Sequence, residues 1–101
     1  MIVKTNQELK NYEGKTLKEG DKPVFLRSIL VNALNFQAPD SKSTVEEKLK
    51  AYKTSMEIME NDEVNLSVEE IVLIKKNVNL MYAPLIVGQV VLFLEEVPKT
   101  N

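Results

Sequence analysis

Arg27 is the only arginine in the chain, and its planar, five-donor guanidinium is shaped for a bidentate hold on an anion or carboxylate. Lys75 and Lys76 add two ammonium groups, and Tyr52 and Tyr82 add ring faces on which a base can stack. Arg27, Tyr52, Lys75, Lys76 and Tyr82 therefore form a candidate ligand set, and the chemistry open to it is binding of a small anionic molecule. The competing reading of Arg27 is a surface ion pair with a nearby glutamate. Glu60, Asp62 and Glu63 cluster carboxylates as magnesium and calcium sites do. They lack the alternating ligand positions, central glycine and closing glutamate of an EF-hand loop. Acids are also unfavourable at a helix C-terminus, so the cluster reads as a solvated linker, and neither a metal nor a cofactor is expected.

The chain has no histidine and no cysteine. Ser-His-Asp catalysis, Cys-His catalysis and zinc-dependent hydrolysis are excluded with them. An enzyme would have to rely on carboxylate pairs, lysines or carboxylate-bound magnesium. No glycine-rich phosphate loop is present either, so the expectation is a protein that is not an enzyme. Thirteen basic against fifteen acidic residues give a formal charge of −2, and the pI is near 5.2. That balance is wrong for a protein that lives on phosphate backbones, so generic nucleic-acid binding is not expected. The absence of cysteine frees the fold from an oxidising compartment. MIVKTNQELK lacks the apolar core of a signal peptide, which makes a cytoplasmic location in a host cell the default.

Helices must position these residues. At 101 residues the chain reads as one domain, with a polar arm over 1–22, a helical core over 23–96 and a tail over 97–101. The expected fold class is mainly α: four helices, near 24–36, 44–60, 67–81 and 84–96, after a short extended or hairpin-like N-terminal arm. Phe25, Leu26, Ile29, Leu30, Ala33 and Leu34 recur at helical spacing in the first. Thr44 with Glu47, and Ser67 with Glu70, have capping-box spacing and start the second and third. Val45, Leu49, Tyr52, Met56 and Met59 alternate steps of four and three along the second helix, a narrow seam expected to pack against another helix. Ile71, Ile74, Val78 and Met81 line the buried face of the third. Leu66 is placed to staple against Ile71 at its start.

Tyr82 and Ala83 form a joint, and Pro84, which lacks a backbone donor, opens the last helix. Leu85, Ile86, Val87, Val90, Val91, Leu92, Phe93 and Leu94 leave that helix almost no polar face. It is too short for a membrane span, which needs roughly 20 apolar residues. It must either be wrapped by the other three helices or meet another copy of the chain. In the second case Leu85, Gly88, Gln89, Val91 and Phe93 are the self-association residues, with Gly88 allowing close backbone approach and Gln89 hydrogen-bonding across the contact. Residues 1–22 carry extended segments near Ile2–Lys4 and Lys15–Lys18, with turns at Gly14 and at Glu19-Gly20-Asp21. A mobile arm is the alternative there.

The run GKTLKEGDKPVFLRSILVNAL, followed by VNLSVEEIVLIKKNV and YAPLIVGQVVLFLE, resembles small proteins of unassigned function encoded by tailed phages and prophages. In that family a glycine-lysine turn precedes an LR-x-(I/V)-L-V-N-A-L helix, and the chain closes on a Y-x-P-L-(I/V)-V-G-Q segment. The likeness covers about Gly14 to Glu96. Val24 and Phe25 stand here where a Leu-Thr pair is more usual. The resemblance implies phage or prophage origin and nothing about mechanism; by analogy, small proteins of that origin act as assembly factors, as inhibitors of host enzymes or defence systems, or as sponges for signalling nucleotides. The expected function is thus a self-associating, non-enzymatic contact protein whose partners are itself and a host or phage protein. The alternative is an oligomeric sponge for a small anion such as a signalling nucleotide.

Overall fold

The computed structural model describes residues 1–95. The expected end of the last helix at Glu96 and the tail over 97–101 lie outside the described residues. Four helices carry the fold: α1 (Leu26–Asn35), α2 (Val45–Glu60), α3 (Val68–Met81) and α4 (Pro84–Glu95). Four short strands accompany them: β1 (Ile2–Lys4), β2 (Lys18–Glu19), β3 (Lys22–Pro23) and β4 (Glu63–Asn65). The protein is mainly α with an N-terminal hairpin arm.

Local chemistry sets the helix starts. At α2 the Glu47 amide donates to the Thr44 hydroxyl and the Thr44 amide to the Glu47 carboxylate, both at 3.1 Å. Ser67 and Glu70 make the same reciprocal pair at α3, at 3.1 and 2.8 Å. Two first-turn donors are satisfied at each helix start, as the spacing predicts. Tyr82 ends α3 in extended backbone and Pro84 opens α4, with the Ala83 carbonyl accepting from Ile86 and Val87.

The start of α1 differs from the expectation. Val24 and Phe25 are extended, with the Val24 amide bonded to the Leu17 carbonyl, and Phe25 caps α1 without a side-chain bond. The caps come from the arm. The Leu26 amide donates to the Gln7 carbonyl at 2.7 Å, and the Arg27 amide to the Thr5 carbonyl at 2.9 Å. Two otherwise orphaned helix donors are thus paired by a segment some twenty residues earlier in the chain, and this anchors the arm.

The arm is built in two parts. β2 and β3 form a hairpin with Lys18 opposite Pro23 and Glu19 opposite Lys22. Gly20 turns it at φ +64°, a backbone state that favours glycine. β1 ignores that hairpin and pairs antiparallel with β4, placing Val3 opposite Val64. Strand alternation sends only the middle residue of each three-residue strand inward, so Val3 and Val64 are buried.

The core lies around α1, whose Leu26, Ile29, Leu30, Ala33 and Leu34 are buried. α1 packs against both α2 and α3, and α4 packs against α3. Leu9 from the arm, Ile58 from α2, Leu66, Ile74 and Val78 from the third-helix region, and Val90 and Leu94 from α4 complete it. Asn77 is buried in this core and donates to the Ala33 carbonyl at 2.8 Å. Leu66 is 1 % exposed and Ile71 packs on the same cluster, as a staple at the α3 start requires.

The face of α2 is the main departure from expectation. Ala51, Thr54, Ser55 and Ile58 turn towards the rest of the molecule, and Ile58 is the single large apolar side chain among them. Their hydroxyls are paired: Ser55 donates to the Ala51 carbonyl and accepts from Asn35, and Thr54 donates to Glu70. The seam read as buried faces solvent. Val45 is 80 % exposed, Leu49 50 %, Tyr52 59 %, Met56 42 % and Met59 49 %. Ala51, Thr54, Ser55 and Ile58 occupy the inward face of α2, and the seam, about a third of a turn away around the helix, is thereby directed outward.

Candidate interaction surfaces

The five candidate ligand residues do not converge. Arg27 is half-buried, donating to Asp62 at 3.0 Å and to the Met59 carbonyl at 3.4 Å, so its guanidinium ties the start of α1 to the end of α2. This is the ion-pair reading of Arg27, with Asp62 as the carboxylate. Asp62 thereby leaves the acidic cluster that suggested a metal. Lys75 pairs with Glu95 at 3.0 Å, bracing α3 against α4. The Tyr82 hydroxyl accepts from Asn32 at 3.1 Å. Tyr52 stands on the outer seam of α2.

Surface concavities run along the side of α2 that faces α3. One, of about 390 Å³, is lined by Leu49, Lys50, Thr54, Leu66 and Glu70. Another, of about 460 Å³, lies where residues 37–43 meet Ala51, Leu73 and Lys76. A third, of about 280 Å³, shares Lys50, Ala51, Glu70 and Leu73 with them and joins the two into one groove. Of the ligand candidates only Lys76 reaches this groove. Acids and lysines interleave along its walls, so no single-sign field gathers an anion there.

Glu70 is the most elaborately held carboxylate. Partial burial pushes its pKa up, but the Ser67 amide, the Thr54 and Ser67 hydroxyls and the charge of Lys50 outweigh this and hold it below the ordinary value. Its partners belong to the α3 cap and to α2, so the group is a strut between two helices.

The last helix is covered along one side. Val90 and Leu94 are buried, and Ile86 and Phe93 pack on the core. The opposite side leaves Gly88 and Leu92 in solvent, with Leu85 and Val91 half-buried beside them. A Cβ built on Gly88 would meet nothing within 4 Å. Gln89 is engaged inside the chain, accepting from the Lys10 amide and donating to the Lys10 carbonyl, both at 2.7 Å. Of the five residues expected to mediate self-association, Gln89 and Phe93 thus serve the chain's own fold, while Leu85, Gly88 and Val91 keep an outward aspect. Gln89 pairs with a backbone 79 residues away, a partner no local signal reveals.

Among the described residues, apolar side chains remain outside along the seam of α2, on the outer strip of α4, and on α3 at Val68, Val72, Leu73 and Leu80. The spacing of the first was visible in the sequence; its exposure was not. Among the described residues no helix is long and apolar enough to cross a membrane. No protein family, curated protein or solved structure matches the chain.

Proposed function

We propose that this is a non-enzymatic protein of phage or prophage origin that acts by contact, associating with itself and presenting a second surface to a phage or host protein. The observation that carries the reading is the α2 seam, five large apolar side chains aligned on one helix face and each at least two-fifths exposed. A contiguous apolar strip of this kind marks an interaction site. The outer strip of α4, with Leu85, Gly88, Val91 and Leu92, is a second surface on a different helix, available to a phage or host partner. The residue pattern shared with small phage and prophage proteins supports the origin. As a phage product the protein would work in the host cytoplasm. The dispersal of Arg27, Tyr52, Lys75, Lys76 and Tyr82, three of them committed to partners within the chain, supports contact over a nucleotide sponge.

Sedimentation velocity from low micromolar to near-millimolar protein tests self-association, with a concentration-dependent closed oligomer expected. A thermal-shift screen against cyclic nucleotides and related anions tests the sponge. A ligand that binds only the folded state raises its melting temperature by mass action. No shift is expected; a rise of several degrees with one nucleotide would overturn the contact reading.

A further inference from the structure

The α2 seam has its own geometry. Val45, Leu49, Tyr52, Met56 and Met59 follow steps of four, three, four and three, the repeat by which two helices interlock side chains along a shared seam. Among the described residues no helix packs over that face; the inward face of α2 carries Ala51, Thr54, Ser55 and Ile58 instead. The charges beside the seam say which occupant fits.

Glu46, Lys53 and Glu60 flank the seam on one side, and Lys48 and Ser55 on the other. Among the described residues none of these four charged groups has an ion-pair partner within the chain. In a parallel pair of α2 helices, Lys48 of each copy would lie against Lys53 of the other, a like-charge contact on both sides. In an antiparallel pair with Tyr52 opposite Met56, Lys53 meets Lys53 and Glu46 meets Glu60, which is again repulsive. Of the antiparallel registers that cover four seam residues, one differs. With Val45 opposite Met56 and Leu49 opposite Tyr52, Glu46 of each copy meets Lys53 of the other, twice by symmetry. On the remaining flank Ser55 is buried against α1, so Lys48 meets no like charge there.

We infer that the α2 seam docks the same seam of a second copy, antiparallel, with the two-fold axis midway between Leu49 and Tyr52 and reciprocal Glu46–Lys53 ion pairs closing one flank. This inference rests on the self-association reading and gives it a surface and a register. The contact is isologous, so it closes at two copies and does not propagate. Four of the five seam residues are covered; Met59 lies at its end. One helix seam is small beside the ~800 Å² per partner of a standard interface, which places the dimer among weak, concentration-dependent contacts. Pairing through α2 also leaves the outer strip of α4 free on both copies, which provides two equivalent surfaces for a phage or host partner.

Charge reversal tests the register. Glu46→Lys alone sets lysine against lysine across the contact, and Lys53→Glu alone sets glutamate against glutamate. Each variant, checked by circular dichroism for unchanged helix content, is expected to dimerise about tenfold more weakly than the wild type in sedimentation equilibrium, since two pairs change sign together. Mixed in equal amounts, the two variants regain complementary pairs and should form a heterodimer of wild-type affinity. Leu49→Glu, at a half-exposed site that the fold does not need, should give a folded monomer. A dimer indifferent to Leu49→Glu and to both reversals would overturn the α2 contact while leaving self-association in place through another surface. A tighter dimer for Lys53→Glu would overturn the antiparallel register, because that change relieves the parallel Lys48–Lys53 clash. A wild type monomeric up to near-millimolar concentration would overturn both the contact and the self-association reading.

Discussion

Glu70 shows how much one side chain holds together. Its carboxylate caps α3 through Ser67 and receives the Thr54 hydroxyl from α2, so two elements lean on one charge. Its folded pKa lies below the ordinary glutamate value, so between the two the unfolded chain binds more protons and stability rises with pH. The contribution is complete above the ordinary value and is lost as pH falls through the lowered folded one. Glu70→Gln keeps an acceptor for the Ser67 amide but removes the charge. Urea midpoints should fall more between about pH 5 and pH 3 in the wild type than in Glu70→Gln. An equal fall in both would mean that other carboxylates carry the acid sensitivity. Ile74, fully buried, and Leu49, half-exposed, make a second comparison at this scale. Ile74→Ala should cost about 2–5 kcal/mol by leaving a cavity, and Leu49→Ala under about 1 kcal/mol at sub-micromolar protein, both read from urea titrations.

At the scale of elements, the arm and α2 are the segments whose attachments are most specific. The arm caps α1 through the Gln7 and Thr5 carbonyls and is clasped to α4 by the two bonds between Gln89 and Lys10. Gln89→Ala should leave the helices intact while speeding amide exchange at Lys10, with α1 amides unaffected; unchanged exchange would mean that the clasp is dispensable. α2 rests on one large apolar residue, two hydroxyls and a capping box. Thr44→Ala should therefore cost about 1 kcal/mol and fray the first turn of α2, seen as exchange of the Glu47 amide.

For the whole molecule, apolar surface is divided between a core built around α1 and exposed side chains on α2, α3 and α4, of which the α2 seam is the most regular. A folded dimer in equilibrium with a folded or unfolded monomer makes melting depend on concentration. The thermal midpoint of the wild type should rise from micromolar to near-millimolar protein, and that of Leu49→Glu should not. A midpoint independent of concentration in the wild type would count against any oligomer. Leu92→Asp, at a site 64 % exposed on the outer strip of α4, should preserve both folding and dimerisation while removing apolar surface from the strip assigned to a different partner.

The sequence by itself determined what depends on neighbours within four residues. Thr44 with Glu47 and Ser67 with Glu70 start their helices because each pair closes its own hydrogen bonds, whatever surrounds it. Pro84 breaks the chain because its ring has no donor to offer. The absence of histidine and cysteine removed whole classes of chemistry without any coordinates. The tertiary structure decided every question of partnership across the chain. Periodicity showed that α2 has an apolar seam at Val45, Leu49, Tyr52, Met56 and Met59, but it carries no information about which surface the seam meets. Ala51, Thr54, Ser55 and Ile58, a weaker pattern, occupy the inward face of α2 instead. The pairing of β1 with β4, the Arg27–Asp62 ion pair and the Gln89 clasp on Lys10 were likewise invisible, since each joins groups that only the packed chain brings together. The self-association residues foreseen on α4 were divided by the same packing: Phe93 went to the core and Gln89 to the arm, while Gly88 stayed outside because α4 has a neighbour along one side only.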